Sequence, residues 1–112
     1  MGTVIYPTAG YIADFSAGAL PGGLRSCERT YLRDLARKVA EIAAEPGQEE
    51  KRNLWYRHNN LEKVRPMLLV FPEDSWVEII GGDQLSVEDP FWRQWEWYLK
   101  HLIYRHDNLP DD

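Results

Sequence analysis

The sequence predicts a mainly α chain with one short β element. Three observations predict it. Apolar residues recur at spacings of three and four over two long stretches, 27–45 and 90–106. Pro46 separates a further helical stretch, 46–59. Met67–Phe71 is an unbroken apolar run between Pro66 and Pro72, long enough for a strand and too short for a helix. A strand of that kind, buried on both faces as in a parallel sheet, needs neighbours for its N–H and C=O groups. The chain offers few of them. The expectation is therefore a piece of something larger, with 1–25 as a flexible leader and 26–112 as an incomplete domain.

The leader carries Gly2, Gly10, Gly18, Gly22, Gly23, Pro7 and Pro21, with Thr3–Tyr6 as a possible short strand. Its glycines form neither GxGxxG nor GxxxxGK[ST], so no phosphate cradle is implied. Ser26 suits the cap of a helix whose stripe is Leu32, Leu35, Val39 and Ile42, widened by Ala36 and Ala43. Pro46 stops it and opens the next helix, which has Gln48, Glu49 and Glu50 near its N-terminus and ends at Asn59-Asn60. Leu61–Arg65 links to the strand. Pro72–Ser75 turns the chain, Trp76–Ile80 reads as a short strand or a helical turn, and Gly81-Gly82-Asp83 turns it again. Asp89 before Pro90 is a strong helix start. The third helix, 90–106, places Phe91, Trp95, Tyr98, Leu99, Leu102 and Ile103 on one broad face, with Trp92 and Trp97 outside it.

A chain of 112 residues allows one domain with a modest core. Its formal charge of −5 argues against nucleic acid and anionic membrane surfaces as partners. No apolar run reaches the ~18 residues of a membrane span. The N-terminus, interrupted by Pro7 and Asp14 with no basic stretch, is a poor signal peptide. A single cysteine, Cys27, makes no internal disulfide, which together with the rest gives a cytoplasmic expectation.

The residues declare little chemistry. His58, His101 and His106 are the only histidines, and the last two are five apart, off a common helix face. HEXXH and Gly-X-Ser-X-Gly are absent, so no metal site and no catalytic residue are assigned. Glu73, Asp74 and Glu78 follow the strand; carboxylates there are usually turn and cap residues. If Met67–Phe71 is the first strand of a (β/α) barrel, its carboxyl end faces the active site. Glu73 and Trp76 then become substrate-binding candidates at the rim of a pocket. Trp92, Trp95 and Trp97 lie on different azimuths of one helix, so at least one is expected to meet a second surface.

The stretches LARKVAEIAA, EEKRNLWYRHNNL, RPMLLVFPEDSW and DPFWRQWEWYLK, in that order over Leu32–Asp112, resemble the N-terminal region of uroporphyrinogen decarboxylase-like proteins. That superfamily includes corrinoid-linked methyltransferases. The resemblance implies a (β/α)8 barrel of which this chain supplies the helical leader, the first strand and the following helix. It implies zinc and a corrinoid partner for a complete enzyme, neither held by this chain. The family's Arg-Gln-Ala-Gly-Arg motif is replaced by Pro72-Glu73-Asp74-Ser75-Trp76, which favours a methyltransferase-type branch over porphyrin decarboxylation. The functional expectation is thus a barrel-enzyme fragment, inactive alone, whose partner is the missing remainder of the barrel, another chain or a second copy. The alternative is a small helical protein-interaction module using its Trp-rich face.

Overall fold

A computed structural model describes residues 22–112 of the chain; the possible strand at Thr3–Tyr6 and most of the leader lie outside the described residues. Among the described residues four α-helices form: α1 (Ser26–Ala43), α2 (Pro46–Asn59), the single turn α3 (Trp76–Ile79) and α4 (Pro90–Asn108). Short 3₁₀ turns at Glu73–Ser75 and Gly82–Gln84 flank α3. Among the described residues there is no strand.

α1 begins one residue earlier than its pattern predicts, because the cap is made from inside the helix. The Glu28 carboxylate reaches back to the Arg25 N–H at 3.0 Å, satisfying one of the open donors of the first turn. α2 follows after only Ala44 and Glu45, with Pro46 at its first turn. α4 starts as expected: the Asp89 carboxylate accepts the Trp92 N–H at 3.2 Å, and Pro90 follows it.

α1 and α4 pack against each other. Leu32 and Leu35 of α1 meet Leu99 and Ile103 of α4, with Val87, from the loop before α4, fully buried in that contact. A second cluster lies across α4: Trp97, Tyr98 and Tyr104 close on Trp76, Ile79 and Ile80 of the α3 turn. Here the sequence reading needs correction. Trp97, placed outside the core face by helical periodicity, is among the most buried side chains, because α4 is covered on two sides. Of the two readings for Trp76–Ile80, the helical turn is the one that forms.

The strand and the barrel built on it are corrected as well. Met67–Phe71 lies in a stretch free of helix, turn or bend from 62 to 72, but it joins no sheet among the described residues. The C-terminal tail engages its backbone instead. The Leu68 N–H donates to the Asp112 carboxylate at 2.8 Å, the Asp112 N–H donates to the Leu68 carbonyl at 2.8 Å, and the Val70 N–H donates to Asp111 at 3.0 Å. Side-chain carboxylates take the place of a neighbouring strand. The run is not buried on both faces either: Leu68, Leu69 and Phe71 are half exposed. With no strand and no sheet among the described residues, the reading as the first stave of a barrel is set aside, and with it the decarboxylase-like or methyl-transferring enzyme fragment.

Candidate functional site

The site is a groove between α1 and α4, and two buried glutamates set its geometry. Glu96, on α4, is fully buried beneath the loop that precedes its own helix. It accepts the N–H groups of Ser86 and Val87, both at 2.9 Å, and lies 3.3 Å from the Lys100 ammonium. Burial works against its charge, but the Val87 and Ser86 N–H groups and Lys100 outweigh that and hold the carboxyl below its usual range. Glu28 does the same from α1. Its carboxyl is lowered to about 2, chiefly by the hydrogen bond from the Arg25 side chain, and it also accepts the Glu88 N–H at 3.2 Å. Residues 86–88 are thus tied to both helices, which fixes where α4 lies along α1.

Gly22 completes the end of the groove. A Cβ at that position would stand 2.1 Å from the Asp89 carboxylate, so any larger residue there would push aside the side chain that caps α4. The Gly22 carbonyl accepts the Trp92 indole N–H at 3.3 Å.

The resulting groove has a volume of about 510 Å³ and an apolar floor that includes Leu24, Leu32, Trp92, Trp95 and Leu99. Arg29 and Arg33, one helical turn apart on α1, stand over it. Their state sets them apart from the other described arginines. Arg25, Arg37, Arg52, Arg57, Arg65 and Arg105 each face a carboxylate, and Arg93 is held by the carbonyls of Gly82, Leu85 and Val87. Among the described residues, no carboxylate or carbonyl holds the guanidinium of Arg29 or Arg33. An acidic protein therefore keeps two uncommitted arginines beside this apolar groove.

The residues singled out by the sequence separate here. Trp92 and Trp95 line the groove, and Trp95 is 38 % exposed. Trp97 turns the other way. Its ring stacks on His101 at 4.7 Å and meets Trp76 edge-on at 5.9 Å. Trp76 is 4 % exposed, at the centre of the second cluster, and Glu73 is on the surface in the turn before it; the two share no pocket wall with the groove. Arg29 and Arg33 were missed by sequence reasoning, since polar residues off the apolar stripe read as solvated. The signal in retrospect is that neither has an acidic residue three or four positions away, whereas Arg37 has Asp34.

Buried His101 is held neutral. Burial pushes its imidazole down to about 4, while its Nδ1 lies 2.7 Å from the Tyr98 carbonyl. Among the described residues no group of three His, Cys, Asp or Glu side chains is placed to hold a metal ion. No helix among them is long and apolar enough to cross a membrane. No protein-family model, curated protein or solved structure matches the chain.

Proposed function

We propose that this chain is a small helical protein-interaction module and that the groove between α1 and α4 is its docking face. One observation carries the reading: Trp92 and Trp95 stand along an apolar groove flanked by the uncommitted Arg29 and Arg33. Indole and guanidinium groups are the side chains most often dominant at binding interfaces, because each offers a large area together with a directed donor. The occupant is a partner's amphipathic segment that sets apolar anchors on the tryptophans and a carboxylate beside the arginines. Helix-in-groove recognition of this type reads apolar anchors at helical spacing. A forked guanidinium pairs with a carboxylate in a fixed geometry.

The test is selection of random peptides displayed on phage against the purified chain, with tryptophan fluorescence to titrate the selected peptides. Acidic peptides with apolar residues at spacings of three and four are expected. Trp95→Ala and the double variant R29A/R33A should each weaken them by about tenfold or more, the effect of a well-placed interface residue. Enrichment of basic peptides, or of peptides that bind Trp95→Ala equally well, would sink the reading.

A further inference from the structure

The extended stretch around Leu69 uses only one of its two backbone edges. In extended backbone the N–H and C=O of one residue face the same edge, and successive residues alternate. Leu68 and Val70 face the Asp111–Asp112 tail and are bonded to it. Met67, Leu69 and Phe71 therefore present their N–H and C=O groups on the other edge, where they make no hydrogen bond to another described residue. Pro66 and Pro72 fall in the alternation with Leu68 and Val70. The N–H groups they lack belong to the tail edge, and the free edge keeps all its donors. Leu68, Leu69 and Phe71 are 57 %, 50 % and 45 % exposed around it. An open, apolar edge of this kind is a template for strand addition.

We propose that this edge pairs with the same edge of a second copy of the chain, antiparallel and two-fold symmetric about Leu69. Charge selects that occupant. Lys63 and Arg65 lie at one end of the edge, and Glu73 and Asp74 lie at the other. Antiparallel self-pairing brings each basic end to an acidic one. The register with Leu69 facing Leu69 sets Met67 opposite Phe71 and brings the basic end of each copy towards the acidic turn of the other, where Glu73 and Asp74 lie in the 3₁₀ turn beyond the edge. Arg65, though bonded to Asp112, keeps a half-exposed side chain. In this register Leu69 forms a hydrogen-bonded pair with its own copy, donating and accepting at once, so the interface is isologous and closes on itself. The groove between α1 and α4 takes no part, and the inference stands independently of the docking face.

Sedimentation of the whole chain over a range of concentrations tests it. A reversible dimer, twice the 13.1 kDa of one chain, is expected, weakening as salt is added. Leu69→Pro removes both reciprocal bonds at the symmetry axis and should lower the association constant about tenfold, with the helical circular dichroism unchanged. Glu73→Lys should weaken the dimer by charge repulsion. A monomer at every concentration overturns the proposal. So does a dimer indifferent to both Leu69→Pro and Glu73→Lys, or one abolished by Trp95→Ala alone, which would place the contact between copies in the groove.

Discussion

Trp76 and Asp112 each join parts of the chain far apart in sequence, and they do it by different physics. Trp76 sits among rings. Trp97, His101 and Tyr104 meet it edge-on at centroid distances of 5.9, 5.3 and 5.8 Å. Asp112 sits among donors. Arg65 grips its carboxylate with two nitrogens at 2.9 and 2.5 Å, Leu68 bonds it front and back, and the Trp55 indole N–H donates to its carbonyl at 3.0 Å. The first region excludes water and depends on shape. The second is a polar clasp near the surface, and α2, which buries no residue of its own, is tied down largely through it. Packing of the first kind resists salt and tolerates no loss of volume; the second kind is exposed to screening and titration.

The largest expected effect is in the packed region. Trp76→Ala removes the ring that the others surround, and large-to-small changes of this type cost about 3–5 kcal/mol. Small domains hold only about 5–15 kcal/mol in total, so thermal unfolding should lose much of its cooperativity. Trp95→Ala, the same change at a half-exposed ring in the groove, should cost far less. Equal losses in the two variants would mean that the clusters do not differ as described.

The next effect separates two histidines. His101 is pushed down by burial to about 4 from 6.5, so the folded chain takes up its proton later than the unfolded chain does. Above pH 6.5 this costs nothing. Between pH 6.5 and 4 the unfolded state is protonated first, and stability falls by up to about 3 kcal/mol. His106 behaves oppositely. Hydrogen bonds to Asp107 and then to Glu45, at 2.9 and 3.0 Å, raise its pKa, so the stability it adds is present in acid and is lost as pH rises through the raised value. Titration of the ring protons by NMR should place His106 above His101. Denaturation in His101→Phe, which stays neutral at every pH, should lose the acid slope. A His101 titrating at the value of an exposed imidazole would overturn the account.

A smaller change is expected from breaking the clasp. Asp112→Asn keeps the shape but removes the charge that holds Arg65, whose presence lowers the Asp112 carboxyl well below the carboxylate range. Hydrogen exchange at the Leu68 amide should speed up about tenfold while the Trp76 cluster keeps its protection. Protection lost equally in both regions would show that the clasp and the core are one cooperative unit.

These two regions also divide what the sequence could disclose. The helices were legible because their signals are local: Leu32, Leu35, Val39 and Ile42 repeat at helical spacing, and Asp89-Pro90 marks a start from two adjacent residues. The Met67–Phe71 run was misread because its outcome depends on Asp111 and Asp112, more than 40 positions away. An apolar run between prolines dictates extension, but not what bonds to it. The aspartates stand in a polar, proline-containing end after the last helix, where nothing in the local pattern points to a partner. Trp97 was misplaced for a related reason: periodicity ranks one face of α4 above the others, whereas the α3 turn covers a second face that no spacing within α4 announces. Of the groove between α1 and α4, Trp92 and Trp95 were legible as aromatics on different azimuths. The groove itself, and the arginines over it, exist only once α1 and α4 are paired.

The smallest effect comes from the end of α2, where the backbone departs from what its residue prefers. Helix α2 closes as a Schellman motif: the Leu61 N–H bonds to the His58 carbonyl and the Glu62 N–H to the Arg57 carbonyl, each at 3.0 Å. The motif needs a left-handed residue after the cap, and Leu61 fills the place with φ of 64°. A Cβ in that conformation costs roughly 1–2 kcal/mol, which is why glycine is usual there. The Leu61 side chain is 94 % exposed and brings no packing to offset the strain. Leu61→Gly should therefore stabilise the chain, by about 1 kcal/mol once glycine's greater freedom in the unfolded state is subtracted. Because α2 is held to the rest through Trp55 and the clasp, the gain should appear first as slower exchange at the last amides of α2, and only weakly in the unfolding of the Trp76 cluster. A loss of stability in Leu61→Gly would mean that the exposed leucine packs on a surface outside this arrangement.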